Sequence, residues 1–174
     1  LYVWNNADWY RDSQLATEYA MFNQPYSTRP INTLMNTLSL RQATQVIACS
    51  PFVRATHVQI DPGVMEPKTV IAFWGVDSSK FVPGTKRRPF TVLFSGGDPI
   101  RKGLNYLVDA LVRLKDTPGV PDFELWIIGT KVGLGNVPFK ATQFGMVPFS
   151  RVPELVRQAH AIVIPTLEDG IACA

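Results

Sequence analysis

Short apolar runs alternate along the chain with stretches whose apolar residues recur three or four positions apart. These two periods separate strands from amphipathic helices. Residues 10–22 and 31–44 read as helices. In the second, Ile31, Leu34, Met35 and Leu38 fall at helical spacing, and Pro30 stands where a helix can begin. VIACS (46–50) is a short apolar strand, followed by Pro51 and a further helical stretch to about Gln59. DPGV reads as a turn, TVIAF (69–73) as a second short strand, and WGVD ends it.

Beyond residue 90 the pattern is cleaner. FTVLFS (90–95) is β-rich, and GGDPIRKG (96–103) is a glycine-rich loop. Residues 103–115 predict an amphipathic helix with Leu104, Leu107, Val108, Leu111 and Leu114 on one face. Pro118, Gly119 and Pro121 break it before FELWIIG (123–129), the next strand. ATQFG (141–145) reads as a strand and 150–159 as a short helix with Ser150 as its N-cap. AIVIP (161–165) is apolar throughout, as buried parallel strands are. Strand, loop, helix, strand is a βαβ unit and implies a parallel sheet. The expected class is α/β, with a doubly wound Rossmann-like sheet over 90–174. Residues 82–89 (VPGTKRRP) form a linker, and 1–81 contribute helices and short strands to another domain or to an interdomain connection.

Composition narrows the classes. With 46% hydrophobic and 18% charged residues, the chain can build a buried core. A net charge of +3 without a long basic tract gives no case for nucleic-acid binding, and Lys86, Arg87 and Arg88 read as a solvated loop. Cys49 and Cys173 stand outside any CxxC or His/Cys spacing, so neither a disulfide framework nor a zinc site is expected, and the compartment inferred is reducing and intracellular. No apolar run approaches bilayer length, and LYVWNNADWY lacks the form of a signal peptide. A first residue other than Met, and a last segment IPTLEDGIACA that stops within a loop, lead to the expectation of a fragment.

In open parallel sheets, ligands bind beyond the carboxyl ends of the strands. Two loops leave strands at that edge. In GGDPIRKG, Gly96 and Gly97 follow the strand, while Arg101, Lys102 and Gly103 open the helix. Cations are disfavoured at a helix N-terminus, a conflict that a bound diphosphate would resolve. An ordinary βα turn with two solvated cations is the plainer reading. In TLEDGI (166–171), Glu168 and Asp169 either cap a helix or accept hydrogen bonds from sugar hydroxyls, with N–H groups around Gly170 holding a phosphate. IIGTKVGLG (127–135) fits neither GxGxxG nor a P-loop, and HExxH, GxSxG and DxD are all missing. His57 and His160 read as structural, and Trp4, Trp9, Tyr10 and Phe22 as core.

The series IACSPFV, VIAFWGVDSSKF, VLFSGGDPIRKGLNYLVDAL, ELWIIG, FGMVP and AIVIPTLEDG resembles the family 4 (group 1) retaining glycosyltransferases of the GT-B fold, over roughly residues 40–174. Gly96 and Lys102–Gly103 match the family's glycine and KG, whereas Gly97 stands where the family usually has arginine. Pro165–Thr166 and Asp169–Gly170 match the next motif, and Ile171–Ala172 replaces Phe-Gly. The resemblance implies an incomplete donor-binding domain preceded by the end of the acceptor-side domain. It implies transfer of a sugar, with retention, from a nucleoside diphosphate to an unidentified saccharide, lipid or small-molecule acceptor. Catalytic roles fall to Asp169 and Glu168. The diphosphate falls to Gly96, Gly97, Arg101, Lys102, Gly170 and Ile171, and the base to Gly145, Met146 and Val147. No cofactor or metal is expected. The expected location is the cytoplasm, with peripheral contact at the inner face of a membrane left open. A non-catalytic, degenerate binding protein of the same fold is the competing reading, favoured by Gly97, Ile171 and Ala172.

Overall fold

The structure, a computed structural model, describes residues 1–3, 5–28 and 30–171; Trp4, Ala172 and Cys173 lie outside them. The described residues divide into two compact units, the segment 1–75 joined by 167–171, and Val76–Thr166.

The second unit is a Rossmann-like parallel α/β sheet. Its strands β4 (Phe90–Gly96), β5 (Phe123–Gly129), β6 (Lys140–Gly145) and β7 (Ala161–Ile162) lie in the order β6-β5-β4-β7, every pair parallel. Side chains alternate across the two central strands, so each face carries its own apolar set. Val92, Phe94, Leu125 and Ile127 pack with Leu104, Leu107 and Leu111 of helix α5 (Leu104–Lys115). Leu93, Trp126 and Ile128 pack with Leu155, midway along helix α6 (Val152–Gln158), and with Ala159 just past its end. Helices therefore cover both faces, which is why FELWIIG is buried along its whole length. Its one carboxylate, Glu124, is fully buried. Glu124 accepts from Trp126 Nε1 at 3.0 Å and is met by Lys140 Nζ at 3.2 Å and Arg87 Nε at 3.8 Å. Arg87 also lies over the Trp126 ring, so this member of the basic cluster braces the sheet as well as meeting solvent.

The first unit holds a three-stranded parallel sheet, β1 (Tyr2–Val3), β2 (Val46–Ala48) and β3 (Thr69–Ile71), in that order. Its helices are α1 (Asp8–Met21), α2 (Pro30–Gln42), α3 (Pro51–Val58) and α4 (Pro62–Met65). Ser50 starts α3 by accepting from Val53 N at 3.1 Å, with Pro51 at the first turn.

Five local expectations are corrected. DPGV is not a simple turn: Pro62 opens the helical turn α4, and Met65 enters the core with Leu40 and Val46. The stripe Ile31, Leu34, Met35 and Leu38 of α2 faces outward, because it is the Thr33, Asn36, Thr37 and Leu40 face that turns toward β1. Leu114 is exposed, the core contact of α5 ending at Leu111 and Val112. Ser150 lies in a 3-10 turn, Phe149–Arg151, and α6 begins only at Val152 without a side-chain cap. AIVIP pairs over two residues only and lies at a sheet edge, so Ile162 is exposed.

His57 and His160 hold structural positions. His160 Nδ1 accepts from Thr91 N at 3.0 Å. His57 is buried, and its Nδ1 donates to Val53 O at 2.9 Å. Burial pushes its pKa below the ordinary value, against the opposing pull of the Val53 bond and of Asp8. The unfolded chain thus takes up this proton more readily, so stability is full above pH about 6.5 and is lost as pH falls below it, by at most about 1.4 kcal/mol per pH unit. Urea unfolding at pH 7.5 and 5.5 checks this, with His57→Gln expected to flatten the difference. An equal difference in the variant refutes the assignment.

Candidate functional site

Strand β4 delivers the glycine-rich loop at its carboxyl end. Gly96 and Gly129 sit opposite one another on β4 and β5. Gly129 has φ +121°, and a Cβ there would overlap the Gly96 carbonyl. A Cβ on Gly96 would stand 2.8 Å from Lys102 Cγ, so the absence of a side chain lets the aliphatic stem of Lys102 lie across the strand end. Gly103 adopts φ +72°, and a Cβ there would overlap Pro165 O. Thr166 Oγ1 donates to Arg101 O at 3.3 Å. The loop after β4 and the segment leaving β7 therefore touch at the carboxyl edge of neighbouring parallel strands.

The interior of the loop is a set of tight turns. Arg101 N donates to Asp98 Oδ1 at 3.1 Å, Lys102 N to Asp98 O at 2.9 Å, Gly103 N to Ile100 O at 2.9 Å and Leu104 N to Pro99 O at 2.8 Å. These amides are engaged within the loop, so an anion here would meet side chains and the Gly96–Gly97 end more than the first turn of α5. Gly97 is exposed, and its carbonyl accepts from Thr130 Oγ1. Arg101 stands 4.0 Å from Asp98, which directs its guanidinium toward its own loop.

The acidic turn belongs to the first unit, which the chain rejoins at Leu167. Glu168 is only 2% exposed and accepts from Asn6 Nδ2 at 2.8 Å; the same amide donates to Asp169 O at 3.1 Å. Ser50 Oγ donates to Gly170 O at 2.8 Å. Ile171 packs with Ala48, Cys49 and Val53. Glu168 is thus a buried anchor, while Asp169 is half-buried. Sequence reading missed Asn6 and Ser50. The signals were present: two asparagines shortly after Tyr2–Val3, and a serine–proline pair immediately after VIAC.

Of the remaining candidates, Gly145 ends β6 with φ +72°, Met146 is 81% exposed and Val147 packs beside Leu93 and Trp126. Gln143 ties β6 to the preceding loop by bonds to both Val132 N (2.8 Å) and Val132 O (2.9 Å). The candidates thus fall into a loop at β4, a loop at β6 and a turn in the first unit. Among the described residues, no group of three or more His, Cys, Asp or Glu side chains is placed to hold a metal ion, and no helix is long and apolar enough to cross a membrane. No known family model matches the chain, and the search of curated proteins finds no match.

Proposed function

We propose that this chain carries the nucleotide-sugar site of a retaining glycosyltransferase of the GT-B type. The observation that carries the reading is the β4 loop. A lysine stem crosses a glycine at the carboxyl end of a parallel strand, and the loop packs against the segment leaving the neighbouring strand through a glycine that tolerates no side chain there. Ligands of open parallel sheets collect at this edge. Lys102 supplies the cation for the diphosphate, Arg101 assists it, and Gly96 and Gly97 allow close approach. Gly145, Met146 and Val147 lie at the end of β6 and take the base. The roles of Asp169 on the donor sugar and of Gly170 and Ile171 on the phosphate come from the resemblance. Glu168 is better assigned to holding the turn, since its carboxylate is buried against Asn6.

In the reaction, the bond from the anomeric carbon to the diphosphate oxygen breaks. A bond to the acceptor oxygen forms on the same face, and the acceptor's hydroxyl proton passes to the departing diphosphate. The barrier falls because charge growing on the departing diphosphate meets a cation already in place.

Titration with UDP and GDP tests this. Lys102→Ala is expected to weaken binding by about 1.5–3 kcal/mol, roughly 10- to 150-fold. If neither nucleotide binds, or if the variant binds as tightly as the parent, the reading fails. Nucleotide binding without sugar release from any donor supports the non-catalytic reading instead, to which the substitution of Ile171 for the family's Phe also points.

A further inference from the structure

A cavity of about 400 Å³ lies in the second unit, between the turn at Ser79 and Lys80 and the segment from Phe149 to Arg157. We propose that it binds an oxyanion carried on an apolar ring, such as an aryl phosphate. The cavity shares no residue with the β4 loop, so it does not depend on the transfer reading above.

The placement of Arg157 begins in the linker. Arg87 N donates to Gln158 O at 3.1 Å, and Lys86 Nζ donates to Arg157 O at 3.3 Å, so the linker is tied to the last turn of α6. A Cβ on Gly84 would stand 2.2 Å from both Cγ and Cδ of Arg157. The missing side chain is what lets the arginine stem lie against the linker there. The Nε of that side chain is buried and has no acceptor among the described residues. Nearby carboxylates are engaged elsewhere. Asp77 pairs with Lys80 at 3.0 Å, while Glu154 pairs with Arg151 Nε at 3.2 Å and accepts from Gln158 Nε2 at 3.5 Å. A buried donor without an acceptor calls for one from outside these residues. Water satisfies a donor but leaves the charge uncompensated; an oxyanion does both.

The rest of the lining selects the ligand. Lys80 adds a second cation, Glu154 is already paired, and Ser79 and Ser150 bring hydroxyls that donate to an anion. A guanidinium forks onto the oxygens of a phosphate or carboxylate. Phe149, which is 71% exposed, and Pro153 complete the wall, together with the methylene stems of Lys80 and Arg157. A bare ion would leave this apolar surface in water, whereas a ring attached to the anion covers it. The volume suits a small molecule, for which sites run to about 300–1,000 Å³. Lys and Arg outnumber Asp and Glu across 76–166, which draws anions to the whole unit; the held guanidinium is what singles out this cavity.

Calorimetric titration of the chain with phenyl phosphate, inorganic phosphate and benzyl alcohol tests the proposal. Phenyl phosphate is expected to bind at least tenfold more tightly than either of the others. Arg157→Gln should weaken it at least tenfold. Gly84→Ala should do the same with every charge kept: the backbone there is not left-handed, so alanine is accepted, but its methyl displaces the arginine stem. It is also the second variant should Arg157→Gln fail to fold. Arg113→Gln, at an exposed position of α5, removes the same charge and should leave binding unchanged. The proposal is overturned if phenyl phosphate does not bind, if inorganic phosphate binds as tightly, or if either folded cavity variant binds as the parent does. It is equally overturned if Arg113→Gln weakens binding as much as Arg157→Gln, the mark of diffuse attraction. Phenyl phosphate that binds Arg157→Gln undiminished and is displaced by UDP belongs to the β4 loop, which removes this cavity and leaves the transfer reading standing.

Discussion

Alanine at position 129 is expected to destabilise the chain by about 3 kcal/mol or more. Two effects add. The residue has φ +121°, a conformation that costs a side chain about 1–3 kcal/mol. The new methyl group also meets the carbonyl of Gly96 on the neighbouring strand, which accepts from Thr130 N at 3.3 Å; losing that bond costs about 1 kcal/mol more. Relief requires β4 and β5 to part at the end that presents the Lys102 loop. Gly119→Ala is the control. Its φ is +84°, but nothing lies within 4 Å of a Cβ there, so strain acts alone and the cost is about 1–2 kcal/mol. Urea midpoints at unchanged m-value give both numbers. Equal costs for the two variants would show that the interstrand approach is not what requires Gly129.

Asn6→Leu is expected to cost about 1.5–3 kcal/mol, the range for a hydrogen bond to a charged group, because the buried carboxylate of Glu168 loses the amide that reaches it at 2.8 Å. The effect belongs to the pair. Glu168→Leu in the same chain removes the charge that needs the donor, so the double variant is expected to recover most of the loss. A double variant no more stable than Asn6→Leu alone would mean that the two side chains act independently.

The parallel character of the second unit was legible because its signals are local. A seven-residue strand, a leucine face from Leu104 to Leu111 whose expected extension to Leu114 alone failed, and a glycine-rich loop need no distant partner to be read. What misled was burial, which depends on neighbours. The stripe on α2 has good helical spacing, but it is Leu40, on another face of the helix, that is buried and packs with Val46. AIVIP is as apolar as FELWIIG, yet it occupies an edge of the sheet and pairs over two residues only. For the site, the glycines were visible as glycines, but not which of them face a backbone. Gly103 and Gly129 are required by Pro165 and Gly96, while Gly97 has nothing within 4 Å. Asn6 could not be matched with Glu168 from the sequence, since 162 positions separate them and an amide after a strand has many uses.

The first unit draws on two separate stretches of chain, whereas Val76–Thr166 is continuous. On the ribosome this inverts the usual order in which N-terminal structure completes first. Residues 1–75 emerge with the amide of Asn6 and the hydroxyl of Ser50 still lacking Glu168 and the Gly170 carbonyl, and they wait until the whole intervening unit has been made. The segment from Leu167 is therefore made only after the whole intervening unit, although it completes the unit that precedes that one.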